Sequence, residues 1–164
     1  MKTSETKKRW EKIDMYNICV INGPNLNMLG IRDKAVYGSK SLEEINGIIS
    51  SEAGKLRVEV EFFQSNIEGE LVTRIHQCHN TTSGIIINPG AYSHYSIAIR
   101  DAIEAVNVPV VEVHLSNIYS REEFRHHSVV SPVCIGQISG LGHMGYVYAL
   151  YALLDRLKVN GTTV

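Results

Sequence analysis

An open, parallel α/β sheet with helices on both faces is the fold class this sequence predicts, on three observations. Five short apolar runs alternate with stretches whose apolar residues recur at helical spacing, the pattern of βα units wound into one sheet. Inner runs such as Ile85-Ile86-Ile87 are continuous in apolar residues, as strands covered on both faces require. Two runs stop abruptly, at Asn22-Gly23-Pro24-Asn25 and at Asn88-Pro89-Gly90, residue types that end strands and begin turns.

Each element follows in order. Residues 1–14 are polar, with Lys7, Lys8 and Arg9 among acids, and read as a solvated, disordered tail; a basic docking arm is the other reading. Residues 15–164 read as a single domain. Tyr16 to Ile21 is the first strand. Ser41 with Glu44 is a capping box that opens a helix, along which Leu42, Ile45, Ile48, Ile49, Ala53 and Leu56 keep helical spacing. Gly54 weakens its last turn. Val58 to Phe63 is the second strand, and Glu68 to Cys78 the second helix, with Leu71, Ile75 and Cys78 on one face. The third strand, Ile85 to Ile87, leads to a helix at about Ser93 to Val106. Val108 to His114 is the fourth strand, with Pro109 near its start, where a missing N–H is tolerated. Ser120 and Glu123 predict a second capping box over a short helix. Cys134 to Ile138 is the fifth strand, and Leu141 to Leu157 the closing helix.

Composition narrows the function classes. A chain of 164 residues supports one domain with a real core. Its 44% hydrophobic and 20% charged residues are ordinary for a globular protein. A net charge of -1 gives no global pull toward nucleic acid or anionic membranes. Cys19, Cys78 and Cys134 are odd in number, scattered and without CxxC spacing, which predicts reduced, buried thiols and a cytoplasmic setting over a disulfide framework or zinc site. No apolar leader stretch opens the chain, and the run from Tyr146 to Leu154 is too short to span a bilayer.

In an open parallel sheet, ligands sit beyond the carboxyl ends of the strands, so polar residues there are the candidates. The first strand ends at Asn22 and Asn25, the third at Asn88 with His94 just after, and the fourth at Glu112, His114 and Ser116. Glu112 and His114 are two apart on a strand and point the same way, so the carboxylate can orient the imidazole. Arg121 and Arg125 follow on the short helix, one turn apart and on one face, and suit an anionic or polyhydroxylated ligand. The loop after the first strand adds Arg32 and Tyr37. A tyrosine near an arginine is a possible base, because positive charge favours the phenolate. Taken singly, each has a plain reading: a phenol packed on an arginine stem, or a buried histidine satisfied by a glutamate. Their convergence on one sheet edge favours a site.

His76 with His79, and His126 with His127, lack a third ligand of suitable spacing and read as surface histidines, not a metal site. Tyr146, Tyr148 and Tyr151 read as helix packing and subunit contact. Two other functions share this fold. A flavin- or phosphate-binding module would cradle phosphate on Gly23-Pro24-Asn25, although Pro24 removes a donor and no Ser/Thr cluster is present. A non-catalytic oligomeric scaffold is the third.

INGPNLNMLG (21–30), RDKAVYG (32–38), INPGAYSHYSIAIRDA (87–102) and VPVVEVHLSNIYSREEFRHHS (108–128) together resemble type II 3-dehydroquinate dehydratase. The resemblance runs from about Ile18 to the closing helix. It implies a flavodoxin-like three-layer fold with a five-stranded parallel sheet and helices on both faces. It implies anti elimination of water from 3-dehydroquinate to 3-dehydroshikimate through an enolate, in the shikimate pathway or quinate catabolism, with no cofactor and no metal. Tyr37 would be the base, kept acidic by Arg32 on the same mobile lid and by Arg121. Asn25 would hold a water that donates to the enolate oxygen. His114, oriented by Glu112, would be the acid that protonates the departing hydroxyl, and Asn88 would hold the substrate there. Ser116 and the backbone around Leu115 would take the carboxylate, and His94 and Arg125 the ring hydroxyls. Asp101 would reach a neighbouring subunit's site within a dodecamer of trimers.

One position departs from the family pattern: Lys34 stands where a proline is usual, which bears on lid stiffness and closure rate rather than on chemistry. The chemistry is physically reasonable. A free phenol is ionised roughly one part in a thousand at neutral pH, a cost of about 4 kcal/mol. A nearby arginine lowers such a pKa by roughly one to three units. A rival route through an imine needs a desolvated lysine; the lysines here lie in the tail, on the lid (Lys34, Lys40) or on helix ends (Lys55, Lys158), and none ends a strand.

Overall fold

The computed structural model describes residues 15–31 and 33–161. The tail expected at 1–14 and the candidate Arg32 lie outside the described residues. Five strands, β1 (Asn17–Asn22), β2 (Glu59–Gln64), β3 (Gly84–Asn88), β4 (Val110–His114) and β5 (Gly136–Ser139), pair in the order β2-β1-β3-β4-β5. Every pairing is parallel. This is the flavodoxin-like order, which reverses direction between β1 and β3. The helices are α1 (Lys34–Tyr37), α2 (Leu42–Leu56), α3 (Glu68–Gln77), α4 (Ile97–Ala105) and α5 (Met144–Gly161).

The alternation of side chains along each strand separates the three layers. Ile18, Val20, Ile86, Val111 and Val113 face α2 and α5, where they meet Ile45, Ile49, Leu150 and Leu153. Cys19, Ile21, Ile85, Ile87 and Val110 face α3 and α4, where they meet Leu71, Ile75, Ile99 and Ile103. β1, β3 and β4 are therefore buried on both faces, while the edge strand β2 is only partly covered. The expected strand limits hold to within about two residues, the usual scatter of such boundaries.

The Ser41–Glu44 capping box forms: Ser41 Oγ accepts from Glu44 N at 3.1 Å, and Glu44 Oε2 accepts from Ser41 N at 2.7 Å. Two other helix expectations are corrected. The helix expected from Ser93 begins at Ile97, because Ser96 is the cap, its Oγ accepting from Ile99 N at 3.0 Å; Gly90–His94 is a separate 3-10 turn. The box expected at Ser120 and Glu123 is absent. Asn117 caps this segment instead, its Oδ1 accepting from Tyr119 N, and Ser120 Oγ donates to Asn117 O at 2.9 Å. Extended backbone at Arg121 then splits the segment into two 3-10 turns, Ile118–Ser120 and Glu123–Arg125. Among the described residues no helix is long and apolar enough to cross a membrane.

Candidate active site

A cavity of about 150 Å³ opens at the carboxyl ends of β1, β3 and β4, where the strand order reverses. The loop after β1 contributes Pro24, Asn25, Leu26 and Leu29, and the end of β3 contributes Asn88, Gly90 and His94. From the end of β4 come His114, Leu115 and Ser116, while Tyr37, Arg121 and Arg125 complete the wall.

Close approach of the β1 and β3 loops sets the floor. Gly23 N donates to Asn88 O at 2.8 Å. A Cβ on Gly23 would stand 2.5 Å from Pro89 O, so only glycine fits. Asn25 follows in the left-handed conformation, φ 66°, which asparagine tolerates better than most residues. Its N–H donates to Asn66 Oδ1 at 2.9 Å, and Asn66 is held by Gln64 Nε2 at 3.2 Å and by the Tyr92 hydroxyl, which donates to its carbonyl. Asn66 is absent from the sequence-based candidates, although it lies just past β2, where the same strand-end rule selects it. These bonds also weaken the phosphate reading. Gly23 and Asn25 both have their N–H groups engaged within the protein, and Pro24 has none.

Glu112 and His114 point the same way from β4, as their spacing requires. His114 Nε2 lies 2.6 Å from Glu112 Oε1, which leaves Nδ1 for the cavity that His114 lines. Glu112 is fully buried and also accepts from the hydroxyls of Ser128 and Ser131. Burial alone would raise its pKa. The His114 contact and the two serine hydroxyls outweigh that and hold the carboxyl below the ordinary range. Neither serine carries a local sequence signal for this role, which only the tertiary fold assigns.

Tyr37 ends α1, which is entered through Asp33 at φ 36° and left through Gly38 at φ 85°. Lys34, in the place of the family's usual proline, is the first residue of this helix, where a proline is well tolerated. The Tyr37 hydroxyl accepts from Arg121 Nη1 at 2.8 Å, and the guanidinium lies 5.2 Å from the phenol ring centre. The same nitrogen reaches Ser116 Oγ at 3.3 Å. Arg121 and Arg125 thus share the cavity without sharing a helix face, and Arg125 Nε is anchored on Glu122 at 2.8 Å.

His94 Nδ1 lies 2.8 Å from the His127 carbonyl, so this nitrogen carries the proton. Its ring stacks on His114 with centres 6.3 Å apart. Burial holds the His94 pKa below the ordinary imidazole value against the pull of the carbonyl, and positive charge on His114 and Arg125 acts in the same direction as burial. Asn88 accepts from Gly90 N through Oδ1 at 3.1 Å. Its Nδ2 donates to the hydroxyl of Tyr146, which is wholly buried. Tyr146 thus packs in the core as expected but has no surface for the subunit contact expected with it; Tyr148 and Tyr151 are exposed.

Of the remaining candidates, Asp101 is exposed on α4 and does not line the cavity. Among the described residues, no lysine lines the cavity.

Comparison with known proteins points to one family. Residues 16–154 match the family model described as dehydroquinase class II. The 3-dehydroquinate dehydratase of Caldicellulosiruptor bescii is 59% identical over 144 residues, covering 87% of this chain and 99% of that one. That of Clostridium perfringens is 58% identical over 142 residues, covering 86% and 99%. The crystal structure of type II dehydroquinase from Butyrivibrio crossotus superposes with a TM-score of 0.84 at 49% identity, covering 85% of this chain and 98% of that one. With the fold, the strand-end cavity and these relatives in agreement, the chain belongs to the class II dehydroquinase family.

Proposed function

We propose that this protein is a type II 3-dehydroquinate dehydratase, a hydro-lyase that removes water from 3-dehydroquinate to give 3-dehydroshikimate. One observation carries the reading: a phenol bonded to a guanidinium and an imidazole bonded to a carboxylate line the same small cavity.

In the proposed mechanism the Tyr37 phenolate takes a proton from the carbon beside the ketone. The electron pair of that C–H bond moves into the carbonyl and gives an enolate. The enolate collapses, the neighbouring C–O bond breaks on the opposite face, and His114 donates a proton so that water leaves. Tyr37 ends protonated and His114 deprotonated, and a proton returned through solvent resets the pair. Arg121 stabilises the charge that forms on the Tyr37 oxygen, since donors already in place need no reorganisation. Arg32 adds to that charge in this reading. Asn25 holds the water that donates to the enolate oxygen.

Substrate placement follows the lining. Ser116, with its hydroxyl next to Arg121, and the backbone around Leu115 take the carboxylate. Asn88 holds the departing hydroxyl, and His94 and Arg125 hold the other ring hydroxyls. His94 offers Nε2 as a neutral acceptor because Nδ1 carries the proton. None of these steps needs a cofactor or a metal. The same step serves the shikimate pathway and quinate breakdown. Trimers assembled into a dodecamer bring Asp101 to a neighbouring cavity, and its exposure on α4 suits that role. A cytoplasmic setting fits the free thiols of Cys19, Cys78 and Cys134.

The test is ultraviolet monitoring of 3-dehydroquinate for the conjugated enone product, with the wild-type protein and with Tyr37→Phe. Product from the wild type alone supports the reading. No product from the folded wild type overturns it.

A further inference from the structure

Asn22 and Asn88 are register partners at the carboxyl ends of β1 and β3, and one hydroxyl joins their side chains. Tyr146, near the start of α5, sends its phenol through the core to this point. Asn88 Nδ2 donates to the Tyr146 oxygen at 3.1 Å, and the Tyr146 hydroxyl donates to Asn22 Oδ1 at 2.6 Å. The direction of the chain is fixed at its cavity end. Gly90 N occupies Asn88 Oδ1, so Nδ2 must face the tyrosine. The tyrosine oxygen therefore accepts from Asn88 and has only its own proton to give, which Asn22 takes. Burial pushes the Tyr146 pKa well above the ordinary phenol range, so the hydroxyl stays a donor.

We propose that Tyr146 is a positioning residue for the dehydration, which holds the Asn88 carboxamide in the one orientation that aims its remaining N–H at the substrate. This rests on the reading above, in which Asn88 contacts the departing hydroxyl. The physical need is plain. The terminal torsion of an asparagine is broad and nearly twofold, so the amide turns over unless both its ends are held. Gly90 holds one end and Tyr146 the other. All three side chains are buried, so an amide released from the tyrosine has little water to replace it and seeks a new partner by rotating. A tyrosine serving packing alone would need no such connection to the cavity wall.

The test is a double-mutant cycle on the full chain, with kcat, KM and thermal midpoint measured for Tyr146→Phe, Asn88→Ala and the double variant. The expected result is that Tyr146→Phe lowers kcat by about tenfold to a hundredfold, the scale of a small misplacement at a reacting centre, with KM little changed. In the Asn88→Ala background the same change should leave kcat within about twofold, because coupled residues are not additive. An equal loss in both backgrounds, or a lowered thermal midpoint with unchanged kcat, overturns the inference. Wild-type turnover in Asn88→Ala overturns instead the reading of Asn88 on which it rests. Should Tyr146→Phe fail to fold, Asn22→Ala keeps the ring in the core and removes the acceptor of its proton. It should then lower kcat in the wild-type background and not in Asn88→Ala; an equal loss in both again overturns the inference.

Discussion

Arg121 Nη1 donates to the Tyr37 hydroxyl at 2.8 Å across 84 residues of sequence. A charge-assisted bond of this kind contributes about 1.5–3 kcal/mol. In the proposed mechanism this bond favours the phenolate that must form before the proton is taken, so Arg121→Ala should lower kcat by roughly ten- to a hundredfold. Tyr37→Phe removes the proposed base and should abolish turnover while leaving the fold intact. Steady-state kinetics paired with circular dichroism check both, and near-normal turnover in Tyr37→Phe would show that another group takes the proton.

Glu112 predicts how stability depends on pH. Its folded-state pKa is depressed, so its contribution is fully present above the unfolded carboxylate value and is lost as pH falls through the folded one. The thermal midpoint of the wild type should fall on acidification through and below the ordinary carboxylate range. Glu112→Gln should flatten that dependence and lower the midpoint at neutral pH. It should also cost about a hundredfold or more in kcat, within the range expected of a lost acid catalyst, because the amide no longer fixes the His114 proton. Thermal melts across pH and kinetics at neutral pH test the two effects separately.

How far the sequence displayed this site depends on distance along the chain. Glu112 and His114 were legible because a strand's period of two places them together whatever else the fold does. Ser41 with Glu44 was legible for the same local reason. Asn25, Asn88 and Ser116 followed from one topological rule about strand ends. Arg121 and Arg125 were assigned to the site on the geometry of a helix that does not form, yet both arrive, because the loop carrying them folds back over the cavity. The groups that hold the candidate residues in place were hidden. Ser128 and Ser131 reach Glu112 from a later loop, and Tyr146 reaches Asn22 across 124 residues. No local pattern encodes such contacts; they exist only after the layers have packed. The failed Ser120–Glu123 box shows the converse, a local signal lost to a better-placed neighbour, Asn117.

Gly23 is the narrowest point of the design. A Cβ there meets the Pro89 carbonyl at 2.5 Å, and that atom is backbone, so the two loops must part. Gly23→Ala should lower stability by about 1–3 kcal/mol, the scale of overpacking. It should also reduce turnover, because Asn25 and Asn88 sit on the loops that separate. Denaturant melts and kinetics on one sample measure both. A variant as stable and active as the wild type would mean the loops have slack that their present contact conceals.

Asp101 gives the last prediction, which concerns the assembly. It is exposed on α4 and outside its own chain's cavity, and the proposed function gives it a part in a neighbour's. Asp101→Asn and Tyr37→Phe should each be impaired when pure. In the proposed assembly a site takes Tyr37 from one subunit and Asp101 from the next. Oligomers reassembled from a one-to-one mixture of the two variants should then hold both groups at roughly a quarter of their sites, by random pairing across a closed symmetric interface. Activity should return on mixing and reassembly, in proportion to those hybrid sites, and not on mixing without subunit exchange. If Asp101 acts only within its own chain, every subunit in the mixture lacks one group and no activity returns.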